Sequence, residues 1–123
     1  MATIYTQAGE EAVVDLIDGT SSTILNATNA KIGWGTGTGT HAKTSTTLFI
    51  EASEARVAAA VSQPAADKNQ WVGTLTADAA KTITNAGLFD AATVGTLVVA
   101  GDFTGIALAA GDKIEFTISL EQS

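Results

Sequence analysis

The sequence predicts a mainly β chain, an antiparallel β-sandwich or jelly-roll-like barrel with one short N-terminal helix. Three observations predict it. From Lys113 to Glu121 apolar and polar residues alternate without a break, with Ile114, Phe116, Ile118 and Leu120 on one side, the period of a half-buried strand. Weaker runs of the same kind recur at intervals of roughly ten residues with Gly and Asp between them, as in sandwiches and barrels. Helical periodicity stands out in one place, Gly9 to Ile17, and beyond Gly19 the chain reads as strands.

Residues 1–8 read as an N-terminal arm and residues 9–123 as a single β-sandwich domain. Ile4 and Tyr5 are the arm's only large apolar groups, so they are expected to be buried against a neighbouring chain. In the helix, Val13, Leu16 and Ile17 form one apolar face and Val14 widens it. Glu10 and Glu11 suit the first turn, and Asp18-Gly19 is a stop signal, with Gly19 free to turn left-handed. About two turns long, it needs tertiary packing to persist. The strand candidates after it are Val57 with Ala59 and Val61; Trp71 with Leu75 and Ala77 across Gly73; Ile83 with Leu88 and Phe89; a short run from Thr96 to Val99; and Lys113 to Glu121. Ala-Gly-Asp occurs at 100–102 and 110–112, and each copy reads as a turn.

At 123 residues the chain amounts to one domain, and such a domain buries roughly two-thirds of its unfolded surface. It has no cysteine, so disulfides and thiolate zinc sites are excluded. Six basic residues stand against 13 acidic ones, for a net charge of −7. Nucleic-acid binders carry a basic patch, whereas the lysines here (Lys31, Lys43, Lys68, Lys81, Lys113) are scattered. No nucleic-acid or membrane partner is expected: no apolar stretch reaches membrane-spanning length, and the first residues lack a secretory signal. The sequon Asn26-Ala27-Thr28 is then a chance match.

The most unusual segment is Gly33-Trp34-Gly35-Thr36-Gly37-Thr38-Gly39-Thr40. A phosphate-binding loop is excluded by spacing, since Gly-x-Gly-x-x-Gly would need its third glycine at Thr38 or Thr40, and no Gly-Lys-Ser/Thr follows. Alternate glycines instead leave one strand face bare, so another backbone or a neighbouring subunit can approach, with Trp34 pointing the other way. Gly33, Trp34, Gly35 and Gly37 therefore join Ile4 and Tyr5 as candidate interface residues. His41, the only histidine, lies in a polar stretch and is expected at the surface. Glu51 with Glu54, or Asp102 with Asp112, are the places to look for an acid–base pair, but aromatics to line a sugar cleft are few and surface carboxylates are the expectation. There is no Gly-x-Ser-x-Gly and no Asp-x-Asp-x-Asp-Gly loop. No catalytic residue, cofactor or metal ligand is assigned, and no enzymatic activity is expected.

Three stretches resemble small structural proteins of tailed bacteriophages: Leu16-Ile17-Asp18-Gly19-Thr20 with Lys31-Ile32-Gly33-Trp34-Gly35-Thr36-Gly37; Val72-Gly73-Thr74-Leu75-Thr76-Ala77 with the segment from Ile83 to Thr93; and the close from Gly101 to Ile118. The likeness runs from about Glu10 to Leu120 and includes the order of the motifs. It implies a β-sandwich or jelly-roll-like unit, commonly a homotrimer, made in the host cytoplasm and bound to the capsid exterior of the virion. A head decoration (cement) protein, partnered by the major capsid protein and stabilising joints between its subunits, is the first reading. A tail or fibre module, binding host-surface glycans through Trp34 and Trp71, is the alternative.

Overall fold

The structure is a computed structural model and describes residues 2–19, 25 and 28–121; Met1 and the first two residues of the sequon lie outside them. In chain order the elements are β1 (Ala2–Tyr5), α1 (Gln7–Asp18), β2 (Lys31–Gly35), β3 (Val57–Ala58), β4 (Ala60–Ala65), β5 (Lys68–Thr76), β6 (Lys81–Phe89), β7 (Leu97–Leu108) and β8 (Lys113–Glu121). They form two antiparallel sheets, one ordered β1-β7-β6-β2-β3 and the other β4-β5-β8. The mainly β architecture with one short N-terminal helix is the one the sequence predicts, and it fits a β-sandwich.

The core lies between the sheets. Ile32 and Trp34 of β2, Trp71 and Leu75 of β5, Ile83 and Leu88 of β6 and Val98 of β7 are all buried there. Gly73 in the middle of β5 leaves room for Ile32 and Val57: a Cβ there would stand 3.1 Å from each side chain. From Val57 to Ala65 the chain runs from one sheet into the other, turning at the buried Ala59. Pro64 sits on the edge strand β4, beside a break in register, where its missing N–H costs no ladder bond.

β8 spans the residues its alternation predicts, with Ile114, Phe116, Ile118 and Leu120 packed against the core. Elsewhere the structure corrects the sequence reading. Residues 2–5 are not part of an arm: they pair with β7 from Ala2↔Asp102 to Tyr5↔Val99, and Thr6 is fully buried. The apolar run at 96–99 is the start of a 12-residue strand, so Ala100-Gly101-Asp102 is mid-strand, and only the copy at 110–112 makes a turn.

The helix begins earlier than expected because Thr6 caps it: its hydroxyl accepts the Gly9 N–H at 3.0 Å and donates to the Leu97 carbonyl. Gly19, at φ 85°, closes it as predicted. Its apolar face, however, is not buried. Only Gly9 docks fully, against Val98 of β7, while Val14 and Ile17 are 59% and 80% exposed.

Candidate functional site

Alternate glycines give β2 two unlike faces. Trp34 points into the core, where its ring meets Phe116 edge-on at 6.3 Å. The opposite, bare face is covered by the chain's own residues 49–56. A Cβ on Gly35 would lie 2.5 Å from the Phe49 carbonyl oxygen and 3.0 Å from that of Ile50, so only glycine lets this backbone settle. Arg56 lies over Gly33 and Phe49 over Gly37 in the same way. The close approach read from the sequence is therefore intramolecular. Gly33, Trp34, Gly35 and Gly37 are buried inside the fold and present no surface to a neighbour, which corrects their assignment as interface residues. Ile4 and Tyr5 are half-buried on β1, and Lys43 lies 5.9 Å from the centre of the Tyr5 ring. Burial, and then the charge of Glu10, push the Tyr5 hydroxyl above its usual pKa.

A polar cluster fastens the covering segment down. Asn85, fully buried on β6, presents its side-chain amide to Phe49 as a strand would present its backbone: Oδ1 accepts the Phe49 N–H at 3.0 Å and Nδ2 donates to its carbonyl at 3.2 Å. The same Oδ1 lies 3.3 Å from Nε2 of His41, whose ring stacks on Phe49 with centroids 4.1 Å apart. His41 is thus buried rather than at the surface, as its polar neighbours had implied. Asp102 accepts the backbone N–H of His41 at 2.8 Å. No hydroxyl or metal ligand is bonded to the imidazole among the described residues, and Nδ1 is buried without a partner there.

The paired carboxylates are likewise tied into the fold. Glu54 takes the Trp34 indole N–H on one oxygen at 3.1 Å and, on the other, Lys81 and the backbone N–H of Asp78 at 3.0 Å. Burial alone would raise its pKa. The hydrogen bonds from Lys81, the Asp78 and Glu54 backbone amides and Trp34 more than offset that and hold it at about 2. Bonding to Glu54 in turn raises Lys81 above the usual lysine value, against some desolvation. Glu51 is held fork to fork by Arg56 at 2.7 and 2.9 Å. The guanidinium stacks 3.4 Å from the centre of the Phe89 ring and donates to the carbonyls of Ala91 and Val94, tying the β6–β7 loop to residues 51–56. Asp112 accepts the Ala109 N–H at 2.9 Å within its turn. A network joining residues 27 positions apart, such as Glu54 with Lys81, leaves no local signal in the sequence.

Several large apolar groups remain open. Ile50 and Val94 are 72% and 85% exposed at loop tips, each with a left-handed backbone (φ 47° and 56°) that β-branched residues rarely adopt. Val14 and Ile17 stand out from α1. Between the sheets on the β8 side runs a groove of about 540 Å³, walled by Val99 and Phe103 on one flank and Phe116 and Ile118 on the other. The two tryptophans offered for glycan binding are absent from this surface, because Trp71 is also buried, its N–H on the Leu25 carbonyl at 3.0 Å. Comparison of the chain with protein families, with curated proteins and with solved structures finds no match.

Proposed function

We propose that the chain is a bacteriophage virion structural protein, a capsid decoration protein that binds the outside of the head across joints between major capsid subunits. The observation that carries this reading is the division of labour among its side chains. The histidine and the carboxylates Glu51, Glu54, Asp102 and Asp112 hold the fold together, while large apolar residues stand exposed at separate places: Val14 and Ile17 on the helix, Ile50 and Val94 at loop tips. Several apolar contacts spread over one small body suit attachment to more than one subunit, since weak contacts made together hold far better than singly.

The homotrimer that the resemblance implies is not carried into this reading, because the bare face of the glycine strand, its expected contact, is already covered. With both tryptophans buried, a glycan-binding fibre module lacks its two strongest stacking groups. The test is co-sedimentation with capsids made from the major capsid protein, together with the copy number in purified virions. Binding that saturates in proportion to capsid subunits, and is lost in Ile50→Asp/Val94→Asp, is the expected result. A small fixed number of copies per particle would mean a tail component, and no binding to heads would overturn the reading.

A further inference from the structure

The sequence guards the sheet edges unequally. β1 is four residues long and β3 only two, while β4 carries Pro64 and a break in register. Shortness, proline and bulges all stop an edge from pairing with another chain. β8 has none of them. It runs nine residues along the edge of its sheet and pairs with β5 without a break from Lys68↔Glu121 to Thr76↔Lys113. Its inward row, Ile114, Phe116, Ile118 and Leu120, bears no charge and is only half-buried. We propose that β8 joins two copies of this chain, antiparallel and edge to edge, about a two-fold axis at Thr117, so that two three-stranded sheets become one of six strands.

Charge selects that register. Centred on Thr117, Lys113 faces the partner's Glu121 at both ends of the ladder, and Glu115 faces the partner's Ser119. On the inward side Ile114 meets the partner's Leu120, and Phe116 meets the partner's Ile118. All nine residues are paired. Centring on Ile118 would set Glu115 against the partner's Glu121, and like charges directly opposite are destabilising. Centring on Phe116 loses the Lys113 pairing and puts Glu121 opposite a turn residue. The contact does not depend on what the chain attaches to. It is two-fold, and it stands in place of the three-fold association that the sequence resemblance implies.

Cross-linking and light scattering of the full chain test it. The chain has no cysteine, so Thr117→Cys and Ser119→Cys each carry a single thiol on the exposed face of the strand. Opposed residues of an antiparallel pair have Cα atoms roughly 4.5–5.5 Å apart, within disulfide reach. Thr117→Cys should therefore oxidise rapidly to a covalent dimer and Ser119→Cys should not, with both unfolding like the parent chain. Light scattering should show a dimer. Lys113→Glu should weaken it about tenfold by placing like charges opposite each other at both ends, and adding Glu121→Lys should restore it. A monomer at the highest soluble concentration, a trimer, or a dimer in which Thr117→Cys does not cross-link faster than Ser119→Cys would overturn the proposal.

Discussion

The two flanks of the sandwich are finished in opposite ways. On the outer face of the larger sheet, residues 41–56 lie over β2 and β6, and the space is filled by Phe49, Phe89 and Arg56 and by the amide of Asn85. On the β8 side the sheets part, and Phe103 and Phe116 line a groove with their rings only partly covered, 6.3 Å apart. Both flanks have aromatic residues to bury. They differ in backbone: glycines on β2 let a second segment settle onto the strand, whereas β8 has side chains at every position and an unpaired edge. Stability is therefore expected to concentrate on the covered flank and adaptability on the open one.

The sharpest way to break this comparison is at Asn85. Asn85→Leu removes the bonds to Phe49 and His41 and leaves their buried polar groups unsatisfied, which should cost about 3–5 kcal/mol of unfolding free energy in denaturant titrations. A loss under 1 kcal/mol would mean the covering segment is held by packing alone. Next is Glu54→Gln, expected to cost about 2 kcal/mol by weakening charge-assisted bonds to Lys81, Asp78 and Trp34. Its signature is in the pH dependence. Glu54 has its pKa depressed from 4.5 to about 2 on folding, so its contribution is full above 4.5 and is lost as pH falls toward 2. The variant should lack that part of the acid-unfolding slope.

On the open flank effects should be smaller. Phe116→Ala would cost roughly 3–5 kcal/mol for a fully buried ring. The strand phase read from the sequence is right, but the ring lines the groove, so about 1–2 kcal/mol is expected. A value equal to that of Phe89→Ala, whose ring is buried beneath Arg56, would erase the distinction between the flanks. Smallest is Val94→Gly. Relief of the left-handed backbone is offset by the entropy glycine adds to the unfolded chain, leaving a change within about 1 kcal/mol either way. Capsid binding should fall all the same if the exposed isopropyl group makes the contact.

How much of this was legible depended on how each strand is buried. β8 and β5 show period two because one face of each meets the core and the other meets solvent. The second half of β6, from Asn85, and the start of β7 are buried on both faces, so alternation disappears there and only fragments of each strand could be read. β1 is too short to show a period, and Thr6, which caps the helix, looks in sequence like any polar linker residue. In the candidate site, the bareness of one β2 face was visible in the glycine spacing, but what covers it was not. His41 has polar neighbours in sequence and aromatic and amide neighbours in space. The exposed apolar face of α1 was expected to be buried because periodicity reports a face without reporting what it meets.

The way β1 is held has a consequence for how the chain is made. Thr6 bonds to Leu97, 91 positions downstream, and the smaller sheet is incomplete without β8. β1 must wait for β7 before it can pair, and the central β5 must wait for β8. With most of its contacts made between residues well separated in sequence, the chain belongs among the slow β-rich folders, on the order of milliseconds to seconds. During that interval β5 lacks its neighbour, and the nascent protein carries, for a short time, two unfinished sheets.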